Sequence, residues 1–162
     1  MGAVVPGMVL MAVLGTAEAR ADLEDCFAEA ARRYNIAGEL LYAIAAHESR
    51  FDPTAVGLNR DGTRDIGVMQ INSWWLPRLA EYGIEERHLF EPCTNVSVGA
   101  WILAANFGRY GYTWDAVGAY NAGTAESERI RQRREDYAHK VAAQLGLYRH
   151  TRGMRDASVR AR

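Results

Sequence analysis

Between residues 22 and 147 the apolar side chains recur at helical spacing, with one long interruption from Pro53 to Asn72. That interruption constrains the fold most. A chain that builds several amphipathic helices and breaks them once, with a polar stretch bearing glycines, folds as a helical body carrying one small non-helical element. Helices are expected over 22–34, where Leu23, Phe27, Ala30 and Ala31 share a face, and over 39–50, where Leu41, Ile44 and Ala45 do. Pro53 ends the second helix. Further helices are expected over 74–82, with Pro77 acceptable in a first turn, then over 94–110, 114–120 and 126–147. In the 94–110 helix Val98, Trp101, Ile102 and Ala105 read as the inward side. Within 54–72, Asp61-Gly62 signals a tight turn in a short antiparallel sheet. The fold class is α+β, mostly α.

The 162 residues suffice for one domain with a real hydrophobic core, and neither a repeat nor a linker divides them. A formal net charge of −1 gives no electrostatic reason to expect nucleic acid or an acidic polymer as partner. No charged residue precedes Glu18, and the apolar run before it is too short for a membrane span. It leads into Ala17-Glu18-Ala19, an A-x-A cleavage pattern, so residues 1–19 are expected to be an export signal. Ala19-Arg20-Ala21 is an alternative cut. Because no Lys or Arg stands in the n-region, an uncleaved apolar anchor or a misplaced start codon stays open. Residues 20–148 would then form the domain. Residues 149–162, rich in Arg and without apolar periodicity, are expected to be a disordered basic tail.

Export would place the only two cysteines, Cys26 and Cys93, in an oxidising compartment. A bridge between them would close a large loop and stabilise by about 4 kcal/mol; two buried free thiols are the alternative. Two cysteines without histidines at finger spacing cannot build a structural zinc site. The Asn59-x-Asp61-Gly62 cluster fails the calcium-loop template, whose outer positions fall on Gly57 and Val68. No metal and no cofactor is expected.

Two carboxylates frame the polar segment. Glu48 follows Leu41, Ile44 and Ala45 by seven, four and three residues, so it continues the buried face of its helix. Burial raises a carboxyl pKa, and the negative end of the helix dipole adds to this, which suits a general acid. A helix-end Glu pointing to water is the bland alternative. Asp65 lies in polar surroundings, where it would stay ionised and could support an oxocarbenium-like transition state, or simply bond its own backbone in a turn. An acid in an apolar setting beside an ionised carboxylate is how glycosidic bonds are cleaved. Ser49 could bond the Glu48 carboxyl or a substrate group, with Phe51 packed beneath. No His–Asp arrangement supports Ser49 as a nucleophile. His47 projects about 100° from Glu48 and reads as structural. Gln70 and Asn72 alternate around Ile71, so both face one side of a strand. The four tryptophans, Trp74, Trp75, Trp101 and Trp114, could stack on sugars or pack.

Three ordered motifs carry a resemblance: Glu48-Ser49-Arg50-Phe51, Gly67-Val68-Met69-Gln70 and Gly118-Ala119-Tyr120-Asn121-Ala122-Gly123. They resemble the signature of family 1 lytic transglycosylases, and the resemblance spans about 26–148. The stretch from Asn59 to Asp65 is also similar to the active-site sheet of animal c-type lysozymes, where an Asp stands at the same spacing from the acid. The hybrid is similar to the small specialised transglycosylases of type III secretion and conjugation machines. The resemblance implies a lysozyme-like domain in which Gln70 lies in the sugar groove, Tyr120 donates a hydrogen bond to the acid and Asn121 orients substrate or backbone. It implies a periplasmic, monomeric enzyme acting on peptidoglycan and possible contact with a secretion or conjugation apparatus protein. The product would be 1,6-anhydro-N-acetylmuramic acid. Asp65 keeps a hydrolytic muramidase open, and a non-catalytic glycan-binding assembly subunit is the reading from another class.

Overall fold

The structure is a computed structural model, which describes the backbone of residues 14–160 and the side chains of 22–154. Helix α1 (Leu14–Tyr34) leads through a short turn into α2 (Gly38–Glu48). A small sheet follows, made of β1 (Val56–Leu58), β2 (Arg64–Ile66) and β3 (Ile71–Asn72) in that spatial order. A 3-10 turn (Ser73–Trp75), α3 (Leu76–Ala80) and a second 3-10 turn (Glu86–Phe90) connect it to α4 (Pro92–Tyr110). The chain closes with α5 (Trp114–Ala122) and α6 (Glu128–Arg160). The α+β class with a helical body and one antiparallel sheet is as expected from the sequence.

The core forms where the helical faces meet. Leu41, Ile44 and Ala45 of α2 are fully buried, as are Val96, Ala100 and Leu103 of α4. From α6 come Tyr137, Ala138, Val141 and Leu145, spaced so that they fall on one side of the helix. Ala105, expected to face inward, is exposed on the outer side of α4. α5 packs along α6 and α4, α1 along α4, and α2 along α6. The approach of α5 to α6 is close enough to require Gly118: a Cβ there would lie 2.4 Å from the backbone carbonyl oxygen of Arg134.

Pairing in the sheet is antiparallel, with Gly57 opposite Asp65 and Asp65 opposite Asn72. The alternation of strand side chains buries Ile66 and Ile71 while leaving Asp65 and Asn72 on the other face. The turn between β1 and β2 is held by Asp61, whose carboxylate accepts from the Thr63 N–H at 3.0 Å and the Thr63 hydroxyl at 2.7 Å. Asn95 of α4 anchors the far end of the sheet. Its side chain is completely buried and accepts from the Met69 N–H at 2.7 Å, while its amide donates to the Ile66 and Leu89 carbonyls at 2.8 and 2.7 Å. Gly67, with φ +76°, lets this amide approach; a Cβ would lie 2.4 Å from it.

Cys26 and Cys93 form a disulfide between α1 and the first turn of α4, with their Cα atoms 4.8 Å apart. The bridge spans 67 residues of sequence, a loop for which chain entropy contributes about 4 kcal/mol. Replacing both cysteines by Ser is expected to lower the melting temperature by about 10 °C, read by calorimetry without reductant. An unchanged melting temperature would show that the bridge contributes no net stability.

Several boundaries differ from the sequence reading. α1 begins at Leu14, and α2 stops at Glu48 because Arg50 and Phe51 take left-handed φ values of 57° and 69° that reverse the chain. The expected 74–82 helix divides into the 3-10 turn and the short α3. The largest correction concerns the basic tail. Residues 149–160, expected to be disordered, continue α6 as helix. The continuation is anchored where Tyr148 packs on Tyr42 with ring centroids 4.5 Å apart and Arg149 pairs with Glu39 of α2, its Nε at 3.0 Å. Once that turn is docked, good helix formers such as Arg, Met and Ala carry the helix on. Of the expected export signal, residues 1–13 lie outside the described residues, as do 161 and 162; residues 14–19 open α1. Among the described residues no helix is long and apolar enough to cross a membrane.

Candidate active site

Glu48 is the last residue of α2, and the turn after it is fixed from both sides. The Ser49 N–H closes the helix onto the Ala45 carbonyl at 3.1 Å, and the Ser49 hydroxyl donates to the Val68 carbonyl at 2.7 Å. Ser49 therefore ties the helix end to the Gly67–Gln70 turn, rather than bonding the Glu48 carboxyl. Phe51, expected beneath the carboxyl, packs instead against Tyr42, at 4.4 Å between centroids, and Phe27. Three non-glycine residues here, Arg50, Phe51 and Gln70, hold positive φ, a strain of a type that clusters at functional sites.

Protein surrounds the Glu48 carboxyl on most sides, while the residue keeps some exposure to an open cleft. Burial pushes its pKa up to about 7; the Tyr137 hydroxyl, bonded to Oε1 at 2.5 Å, pulls the other way, and the Asp65 charge adds to the rise. Tyr137 is itself buried. That burial, followed by the charge on Glu48, holds the phenol well above its ordinary range, so it remains a donor. His47 stands edge-on to the Tyr137 ring at 5.4 Å, and burial, with Lys140 nearby, lowers its pKa. It packs as a structural histidine.

Asp65 is gripped by side-chain amides. Asn72 donates to Oδ1 at 2.8 Å and Asn59 to Oδ2 at 2.9 Å, and both amides also reach the Thr63 hydroxyl at 3.1 Å. Asn72 further caps the 3-10 turn by accepting from the Trp74 N–H at 2.8 Å. This network holds Asp65 to the strand face rather than to its own backbone.

A cleft of about 860 Å³ collects the expected site residues: Glu48, Asp65, Gln70, Asn72, Tyr120 and Asn121 line it, and Ser49 lies behind its wall. The Gln70 amide donates back to the Ala55 and Gly67 carbonyls at 3.2 and 3.0 Å, which orients it at the cleft edge. Trp74 is exposed at the cleft and stands edge-on to Trp75 at 5.0 Å. Tyr120 departs from the role its motif implies: its hydroxyl donates to the Met69 carbonyl at 2.9 Å, and the donor to the acid is Tyr137. The two rings stack at 6.4 Å, so α5 supplies the outer tyrosine and α6 the one that reaches Glu48.

Arg134 braces the loop after the third motif from a position only 1% exposed. It donates to the Gly123 carbonyl at 2.9 Å, the Ala125 carbonyl at 3.2 Å and the Tyr110 hydroxyl at 2.9 Å, and pairs with Asp115 at 3.3 Å. Reading the sequence missed Tyr137, Arg134 and Asn95. The first two share the 134, 137, 138, 141, 145 spacing of the buried face of α6, which was the available signal. Among the described residues no group of three or more His, Cys, Asp or Glu side chains is arranged to hold a metal.

A helical body, a small sheet and a cleft with a buried carboxyl beside an amide-held carboxylate define a lysozyme-like, glycan-cleaving class of protein. The chain belongs to the transglycosylase SLT domain family, whose model matches residues 25–142. It is similar to invasion protein IagB of Salmonella typhimurium, 49% identical over 132 residues that make up 80% of this chain and 79% of that protein. Protein IpgF of Shigella flexneri is 44% identical over 118 residues, 72% of this chain and 76% of its own length. An inactive mutant of lytic transglycosylase Slt from Pseudomonas aeruginosa shares the fold, with a TM-score of 0.61 at 20% identity. The match covers 80% of this chain and 24% of that one, about a quarter of its length. The chain is a lytic transglycosylase.

Proposed function

We propose that this enzyme cleaves the bond between N-acetylmuramic acid and N-acetylglucosamine in peptidoglycan, with Glu48 as acid and then base. The supporting observation is Glu48 itself: a carboxyl open to the cleft, raised to about 7 and hydrogen-bonded to a phenol. Near neutral pH such a group can both give and take a proton. Glu48 protonates the bridging oxygen, and the bond from that oxygen to the muramoyl C1 breaks. Positive charge develops on the ring, where the Asp65 carboxylate supports it. The Glu48 carboxylate then accepts the proton of the C6 hydroxyl as its oxygen bonds C1. A 1,6-anhydro ring closes and no water is consumed. Gln70, Asn72 and Asn121 contact the glycan along the cleft.

The enzyme acts as a periplasmic monomer that opens the wall locally for a secretion or conjugation apparatus. The three motifs and the similarity to a protein named for invasion support this setting. Digestion of purified sacculi followed by mass spectrometry tests the reaction. The anhydro product is one water lighter than the product of a muramidase, and hydrated reducing ends as the main product would replace the reading by hydrolysis.

Tyr137 offers a second test. Its hydrogen bond favours the Glu48 carboxylate, so Tyr137→Phe is expected to raise the Glu48 pKa further. The acid form then persists to higher pH, and the alkaline limb of the kcat/KM profile moves upward. A purely packing role would change the rate and leave the limb in place.

A further inference from the structure

Asn106 of α4 is only 7% exposed, and it lines the catalytic cleft. Its side-chain Nδ2 has no hydrogen-bond partner; among the described residues it is the one buried side-chain nitrogen or oxygen left so. Leaving a buried amide donor unpaired is costly, so a structure that keeps one calls for an explanation. The surroundings supply none from the protein. Ile102, one turn earlier on α4 and 5% exposed, shares the same face of the helix, and Ala119 of α5 lines the same cleft at 4%. The result is a carboxamide set in an apolar patch of a cleft wall. Asn95, on the same helix, shows the contrast: it is fully buried and every polar atom of its side chain is bonded.

We infer that Asn106 recognises a substrate acetamido group, pairing its carboxamide with the amide of an N-acetylated sugar while Ile102 and Ala119 receive the acetyl methyl. The chemistry is matched group by group. An acetamido substituent presents one carbonyl acceptor, one N–H donor and one methyl, and the patch presents one amide and two apolar neighbours. A sugar hydroxyl could take the hydrogen bond but would leave the apolar part unfilled. A free amine, charged near neutral pH, would face an amide donor and hydrocarbon. Asn106 thereby makes the cleft selective for N-acetylated over de-N-acetylated glycan, a role in specificity distinct from the acid–base work of Glu48. The inference rests on the glycan-cleaving reading proposed above.

The test compares kcat/KM on N-acetylated glycan strands with kcat/KM on the same strands after chemical de-N-acetylation, for the wild type, Asn106→Leu and Asn106→Ala. The leucine is close in size and removes the unpaired donor, so its melting temperature is expected to match or exceed that of the wild type. The alanine serves if the leucine does not fold. The wild type is expected to prefer the acetylated strands, and both variants to lose about tenfold of that preference, through a higher KM on the acetylated substrate. An unchanged preference, or equal losses on both substrates with a lower melting temperature, would overturn the inference and make Asn106 a structural residue. A wild type that cleaves neither substrate would instead remove the glycan reading, and this inference with it.

Discussion

Glu48→Gln is expected to abolish sacculus cleavage, by a factor of a thousand or more, and at the same time to stabilise the fold at alkaline pH. The amide keeps the shape of the side chain and can still accept from Tyr137, but it cannot pass a proton. The stability effect follows from the same burial that tunes the acid. In the unfolded chain a glutamate titrates near 4.3, and in the fold Glu48 titrates near 7. Between those values the native state holds more protons, so stability from this group is fully present below about 4.3 and is lost as pH rises through 7. At pH 8 the native carboxylate costs up to about 4 kcal/mol, which glutamine does not. The variant should therefore melt several degrees above the wild type at pH 8 and show no such gain at pH 4. Calorimetry at the two pH values, beside a turnover assay, reads both effects. Retained activity would sink the assignment of Glu48. Lost activity with no pH-dependent gain would mean that the carboxyl is not held in the protonated range.

That coupling was legible in the sequence because it depends on local spacing. Glu48 lies one and two turns from Ile44 and Leu41, residues that any helix over this stretch must bury. Asp65 was legible from the polar segment that carries it and from its spacing after Glu48, which resembles that of the lysozyme sheet. What escaped were contacts made across long sequence separations. Tyr137 meets Glu48 from 89 residues away, and nothing around residue 137 says which carboxyl its hydroxyl will find. Motif resemblance pointed to Tyr120 for that bond, and the packing of α6 on α2 overrides it. Asn95 and Arg134 belong to the same group, each a polar side chain buried by tertiary contacts and satisfied by carbonyls of distant turns. The 149–160 helix escaped for the converse reason: its own composition predicts little order, and the ring of Tyr42 and the carboxylate of Glu39 on α2 hold it.

These missed residues, together with Ser49, do the positioning. Asn95 and Ser49 fix the turn that presents Gln70, Tyr137 holds one oxygen of the acid, and Arg134 fixes the loop after Asn121. A site built in this way can hold Glu48 in place without any bond between Glu48 and the residues proposed to contact the glycan. The arrangement separates the functions of the two carboxylates, one set by burial and one by amide donors.

Asp65→Asn tests that separation and is expected to lower kcat about a hundredfold without changing the product. Asp65 lines the same cleft as Glu48 and its charge adds to the rise of the Glu48 pKa, so it is placed to act on a cation forming on a sugar in that cleft. Removing an electrostatic partner of a charged transition state costs on the order of 3 kcal/mol. The substitution also places a third amide among Asn59, Asn72 and Thr63, so donors that now meet a carboxylate would meet a group half donor itself. Glu48 also loses the nearby negative charge, so its pKa falls somewhat and the alkaline limb of the activity profile moves down. Product identity should not move, because Glu48 and the C6 hydroxyl remain to close the anhydro ring. A switch to hydrated muramic ends in the variant would show that Asp65 governs the fate of the intermediate as well as its stability. A silent substitution would show that Asp65 only holds the sheet together through Asn59 and Asn72, leaving Glu48 as the sole carboxylate in the chemistry.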